Sequence, residues 1–322
     1  MRKVLATTLD RGSATARELA DDAGLSVVTV HAILHELTGR GLVQISGKRR
    51  SERGPHSRAY SVPAHATRIA AVVQHAETLV ATSADPTDPR TVVATEISDD
   101  PPDIDRLAQL ITEVAGGTLI RHAVVGVPSR ADAGAAGSRR HTAMELAERF
   151  ACSVSVRPTT ELAAVAEAHF GVARGVGNFL QVTGGETASV SHVVDGVPQQ
   201  GAHGLAGSLW LLADRLTASL AEGGATNEVD EPLVSALAAT CFVADPALVV
   251  LGQELAGSGG ESLLDRLRRT LAAVLPVPPE VVMSAVTGDP ALRGAFHLAQ
   301  SAAHRIVLDA VAPAMDVPAS AS

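Results

Sequence analysis

Thr15-Ala16-Arg17-Glu18-Leu19-Ala20-Asp21-Asp22-Ala23-Gly24-Leu25-Ser26-Val27-Val28-Thr29-Val30-His31-Ala32-Ile33-Leu34-His35-Glu36-Leu37 decides the fold of the first part of the chain. Thr15 and Glu18 are spaced as a capping box, in which hydroxyl and carboxylate each satisfy an amide at the start of a helix. Gly24 ends that helix, Leu25 is expected to plug the turn, and Ser26 caps a second helix. Val30, Ile33, Leu34 and Leu37 recur at i, i+3, i+4 and i+7, one apolar stripe of that helix. Two helices joined by a glycine turn, the second amphipathic, read as a helix-turn-helix.

Upstream, Val4, Leu5 and Leu9 predict a short preceding helix ended by Gly12. Downstream, Gly41 closes the amphipathic helix and Leu42 to Ile45 alternates as a strand. The polar stretch from Gly47 to Pro55 then leads to a second strand, Arg58 to Val62. A β-hairpin whose loop is basic makes the unit a winged helix-turn-helix over residues 1–62. Opposite the apolar stripe stand Ser26, Val27, Val28, Thr29, His31, Ala32 and His35, candidates for reading base edges in a major groove. Lys48, Arg49, Arg50, Arg53 and Arg58 are candidates for the phosphate backbone of double-stranded DNA.

Charge is divided the same way. Residues 1–62 carry ten Lys/Arg against six Asp/Glu, net +4; the remainder carries sixteen Arg and no Lys against twenty-nine Asp/Glu, net −13, together the −9 of the whole. An acidic body repels polyanions and a basic head attracts them. No run approaches the length of a membrane span, and the apolar start from Val4 to Leu9 is cut off by Asp10 and Arg11. A cytoplasmic protein is expected. Cys152 and Cys241, far apart and without a CxxC partner, suggest neither disulfide nor zinc site and read as small buried apolar residues.

Residues 63–322 repeat an order of elements. Three apolar segments (69–73, 79–82, 91–97), a helix (104–114) and a strand (123–127) come first. A second meander follows (179–182, 188–194, 197–200) with an Asp195-Gly196 hairpin turn, then helices and a buried strand at 248–252. Two such halves predict a duplicated α/β domain with a cleft between its lobes.

In order and spacing the chain resembles the ROK family of repressors and sugar kinases. The head matches at Glu18-Leu19-Ala20, Gly24-Leu25-Ser26, Thr29-Val30, Gly41-Leu42-Val43 and Arg53-Gly54-Pro55. The body matches at Val125-Gly126-Val127-Pro128, Ala163-Ala164-Val165-Ala166-Glu167 with Phe170-Gly171, and Val194-Asp195-Gly196. Further matches are Gly201-Ala202-His203-Gly204-Leu205-Ala206-Gly207, then Asp245-Pro246 before Val249-Val250-Leu251-Gly252. The resemblance implies an α/β protein, a winged helix-turn-helix followed by a two-lobed, actin-like (duplicated, ribonuclease H-like) ATPase fold.

It also implies that the family's chemistry is missing. Val73 stands where the family's first phosphate loop has its Asp, and Thr159 where it has the catalytic base. A neutral hydroxyl is no general base near pH 7. The second phosphate loop becomes Gly185-Glu186-Thr187-Ala188-Ser189, the E-x-G-H segment becomes Ser208-Leu209-Trp210-Leu211, and the zinc-binding cysteines are missing. The expectation is a non-enzymatic transcriptional regulator, a repressor in the first instance, with neither metal nor cofactor, binding palindromic operator DNA as a homodimer or tetramer. Its alternatives are an active ROK sugar kinase and a non-regulatory DNA-binding scaffold. Ser129, Thr159, Glu161, His203, Ser208 and Trp210 are the candidates for lining an effector pocket. With the family's sugar-holding groups replaced, that pocket holds either a small molecule less polar than a simple hexose or nothing, and Trp210 is either its wall or a core residue packing the lobes.

Overall fold

The computed structural model describes residues 1–51, 54–75, 78–85, 88–97, 104–116, 119–128, 135–184, 188–202, 206–207, 230–255 and 260–311. The N-terminal unit contains α1 (Arg2–Arg11), β1 (Ala14–Thr15), α2 (Ala16–Ala23), α3 (Val27–Gly39), β2 (Gln44–Ser51) and β3 (Gly54–Ser61), its strands ordered β1-β3-β2. The local signals act as expected. Thr15 N–H donates to the Glu18 carboxylate at 2.7 Å while its hydroxyl accepts from Glu18 N–H at 3.3 Å. Gly24 adopts φ 66°, ψ 37°, a left-handed conformation that a Cβ disfavours, and the Ser26 hydroxyl accepts from Thr29 N–H at 3.1 Å.

Two expectations are corrected here. Leu25 does not plug the turn: its N–H closes the turn on Ala20 O at 3.0 Å, and its side chain is left 39% exposed. The polar stretch 47–55 is mostly strand rather than loop, since β2 runs to Ser51 and β3 begins at Gly54 with Lys48 paired to Arg58 and Arg49 to Ser57. The two-residue β1, too short to leave a periodic signal, was not expected.

After α4 (Ala64–Thr67) come β4 (Ile69–His75), β5 (Thr78–Asp85), β6 (Asp88–Ile97), α5 (Ile104–Ala115), β7 (His122–Val127), α6 (Ala135–Phe150) and β8 (Ser153–Pro158). The strands form a five-stranded sheet ordered β6-β5-β4-β7-β8. A crossover helix, α7 (Thr159–Phe170), leads to β9 (Asn178–Thr183), β10 (Ser189–Val194), β11 (Val197–Pro198), α8 (Asp230–Ala244), β12 (Leu248–Leu251), α9 (Gly260–Val274) and β13 (Glu280–Met283), and the second sheet is ordered β11-β10-β9-β12-β13. Each sheet is an antiparallel meander of three strands extended by two parallel ones, which is the expected duplication. The Asp195-Gly196 turn has φ 50° and 77°, the paired positive values of a type I′ hairpin.

The last described helix, α10 (Pro290–Asp309), returns to the first sheet. Ala291, Ala295, Ala299 and Ala303 lie along it at every fourth residue against Ile69, Ala71 and Val73 of β4 and Val124 of β7. Where α10 crosses α7, Gly294 lies so close that a Cβ would overlap the Leu162 carbonyl oxygen. The far end of α10 was not foreseen as part of the head: Val307 belongs to the buried cluster of Leu5, Leu9, Leu19, Leu34 and Leu37, with Leu308 and Val311 packed against it. Cys241 is buried as expected, Cys152 only half-buried, and burial pushes both thiols up to about 11.

Candidate functional site

The exposed face of α3 is the first candidate. Ser26, Val27, Val28, Thr29, His31, Ala32 and His35 are all exposed, Val28 by 80%, while Val30, Leu34 and Leu37 fill the core behind them. The Ser26 and Thr29 hydroxyls lie 2.7 Å apart, so the cap fixes the Thr29 side chain at the start of the face. In the hairpin, register places the Lys48 and Arg58 side chains directly opposite each other, like charges that repel unless an anion joins them. Arg49, one residue on, projects from the other face of β2 and meets Glu18 of α2 at 3.3 Å. That side chain is not the free cation expected of a loop. Its Glu18 partner is held below the usual carboxylate range, chiefly by the Thr15 amide and in part by Arg49. Arg53 and the side chain of Arg50 lie outside the described residues.

The cleft between the lobes is the second candidate. Thr159 opens α7 directly after β8, and Thr160, next to it, shares a hydroxyl contact of 2.7 Å with Thr183 of the second sheet. Glu161, one residue further, accepts from Gln200 Nε2 at 2.9 Å and lies 3.6 Å from Arg157. Burial, the largest influence, pushes the Glu161 carboxyl up against these partners. Thr159 and Glu161 are therefore brought together on the first turn of α7, with Gln200 added from the second lobe. Ser129, His203, Ser208 and Trp210 lie outside the described residues.

Three further residues reach the cleft that no motif in the sequence marked. His75, at the end of β4, contacts the Asp289 carboxylate at 2.8 Å; that hydrogen bond, foremost, raises the imidazole, and the charges of Asp289 and of Glu254 from the other lobe add to it. Burial works against the Asp289 carboxylate, but the hydrogen bonds from His75 and Leu292 N–H hold it low. Glu254, in the short 3₁₀ turn Gln253–Leu255, accepts from Gly184 N–H at 2.9 Å. A protein carboxylate thus takes the Gly184 amide that follows β9, the kind of group that would otherwise cradle a phosphate. Asp289-Pro290 did carry a signal, an N-cap followed by proline at the first helical position, but its pairing with His75 spans 214 residues.

Val73 is fully buried between the sheet and α10 and presents only methyl groups there. Among the described residues no three His, Cys, Asp or Glu side chains are grouped to hold a metal ion, and no helix is long and apolar enough to cross a membrane.

The fold has counterparts among solved structures. A ROK family transcriptional regulator, a homologue of the E. coli MLC protein, matches with a TM-score of 0.60 at 12% identity over 96% of this chain and 98% of its own. The ROK hexokinase from Thermus thermophilus matches with a TM-score of 0.53 at 18% identity over 71% of this chain and 97% of its own. A ROK family protein from Streptococcus pneumoniae in complex with sucrose gives 0.54 at 14% identity over 74% of this chain and 99% of its own. No protein-family model and no curated protein matches the sequence. The neighbours are ROK-family proteins, a regulator and kinases alike, and the α/β architecture of this chain is theirs.

Proposed function

We propose that the chain is a DNA-binding transcriptional regulator: a winged helix-turn-helix at residues 1–62 carried by a ROK body, residues 63–322, that performs no phosphoryl transfer. The observation that carries this reading is the α3 face, where seven consecutive or helically spaced residues are exposed on a helix whose opposite side is fully packed. Such a face needs a partner, and the basic charge of the same unit names a polyanion. The match to the regulator spans 96% of this chain, whereas the hexokinase covers 71%, consistent with an N-terminal unit additional to the kinase body.

In this reading α3 enters the major groove. The Val27 and Val28 methyls contact thymine methyls, Thr29, His31 and His35 supply hydrogen bonds, and Lys48 with Arg58 grips a phosphate of the flanking backbone. One short helix makes few base contacts, so the protein acts as a homodimer on a roughly palindromic site, most simply as a repressor. The body contributes dimerisation and a cleft for a ligand less polar than a hexose. The kinase reading is favoured by the hexokinase neighbour, but it requires acids where this chain has Val73 and Thr159 and a free amide where Glu254 is bound.

Selection of bound fragments from genomic DNA, followed by fluorescence anisotropy on the recovered sites, tests the proposal alongside an assay of phosphoryl transfer from MgATP to hexoses. Enrichment of a palindrome bound in the nanomolar range, typically about 10³-fold or more above random DNA, is expected. Phosphorylated sugar with no sequence-selective retention would replace the regulator with the kinase.

A further inference from the structure

The helix α10 touches both candidate sites. At its N-cap the Asp289 carboxylate divides its oxygens: one accepts from Leu292 N–H at 3.0 Å and caps the helix, the other holds His75 in the cleft. At its last turn Val307 and Leu308, and just beyond it Val311, are packed with the hydrophobic core of the N-terminal unit. Arg40, just after α3, donates to Ala310 O at 2.5 Å, and Arg2 of α1 pairs with Asp309 at 3.5 Å. The 20 residues of the helix span about 30 Å, and within it the chain of hydrogen bonds permits little compression.

The bed under the helix is lined by Ile69, Val73, Val124 and Leu162, and α10 meets it with small residues at its centre and larger ones at its sides. Its contact toward β4 and β7 is centred on alanines at every fourth position, flanked by the partly buried Leu292, Phe296 and Leu298, and at α7 the contact is Gly294. The methyl groups and bare Cα at the centre of the contact offer shallow ridges to a small axial shift or roll, while Leu292, Phe296 and Leu298 keep the helix seated so that it moves as one body. The two ends, by contrast, are held firmly, one by a charged cap and the other by a buried apolar cluster.

We propose that α10 is a push-rod that transmits the state of the cleft, read at the His75–Asp289 clasp, to the orientation of the α3 face about 30 Å away. This deepens the regulator reading and rests on it for its biological sense, since it names how occupancy of the cleft would alter DNA binding. A ligand or lobe movement that draws His75 away from Asp289 frees the capped end, and the displacement arrives at Arg40 and the residues packed on Val307.

Hydrogen exchange on the full chain tests the rod without DNA, so its failure is separable from failure of the regulator reading. In His75→Ala, and in Asp289→Asn, which keeps a capping side chain but removes the charge, amides of α1 and of residues 37–43 should exchange about threefold faster or more, while those of β9 and β12 serve as an unchanged reference. Coupling between two sites is reciprocal, so Arg40→Ala should in turn speed exchange at Leu292 and His75. Changes confined to each altered end, in all three variants, would overturn the proposal. Because His75 and Arg40 are substantially exposed, their variants fold and decide the matter even if Asp289→Asn loosens the body as a whole.

Discussion

Neighbouring cations in the hairpin do different work. Lys48 and Arg58 face each other on the outer side, whereas Arg49 is tied to Glu18 and holds the hairpin to α2. Every cation–phosphate pair contributes about 0.9 to the logarithmic salt slope of DNA binding. Lys48→Ala with Arg58→Ala should therefore weaken binding to all sequences and reduce the slope by nearly two such increments, measured by anisotropy across a salt series. Arg49→Ala should weaken binding with the slope kept, because it disturbs the placement of the hairpin rather than a grip on phosphate; a slope lowered as much as in the double variant would return Arg49 to the phosphates. Thr29→Ala should alter base preference, since its hydroxyl sits at the start of the exposed face.

Among the elements, the caps and crossings set the energetics. Thr15→Ala removes the hydroxyl half of the capping box on α2 and should cost about 1 kcal/mol in denaturant unfolding. Gly294→Ala forces α7 and α10 apart at the Leu162 carbonyl and should cost about 1–3 kcal/mol. How much could be read in advance follows the same division. Helix α2 and helix α3 were legible because cap, stripe and glycine stop lie within a few residues of one another. The meanders were legible through alternation and the Asp195-Gly196 turn. Strand β8, half-buried at a sheet edge, and the small-residue helix α10 gave no strong period, and the residues at the cleft meet only through tertiary folding. Thr159 and Glu161 were reached through the resemblance to the ROK family; Gln200, His75, Asp289 and Glu254 were not, because each is defined by a partner on another element.

Across the protein, histidines set the response to acid. Burial, first, and the nearby His169 and His304 lower His297 to about 4. Its ring lies against His169, with centroids 3.9 Å apart and planes tilted by 35°, and meets Phe170 edge-on. Since the folded-state value lies below the unfolded 6.5, the unfolded chain takes the proton first: stability is intact above 6.5, falls as pH drops toward 4, and levels below it. At pH 5 the decrease from this half-buried ring is about 1 kcal/mol, half of what the full shift would give, because solvent screens its outer edge. His75 runs the other way, its stabilisation present below 6.5 and lost as pH rises through its raised value. Unfolding titrations at pH 7 and pH 5 should show a net decrease at pH 5, to which His122, His192 and His304, also lowered by burial, contribute, and His297→Asn should reduce it; an equal decrease in that variant would place the acid sensitivity in those other rings.

The packing of Val307, Leu308 and Val311 into the core of the N-terminal unit also matters while the chain is being made. A ribosome delivers the head early, yet the surface that completes its core emerges about 250 residues later, some tens of seconds at the slow end of synthesis rates of about 5–20 residues per second. Until then the head, three helices and a three-stranded sheet, has an open apolar flank. Truncated or stalled chains consequently carry an unfinished head, which under the proposed regulator reading would keep a nascent polypeptide off DNA before its body exists. Expressed alone, residues 1–62 should unfold at lower denaturant than the same residues within the full chain, and adding residues 290–311 in trans should recover part of the difference.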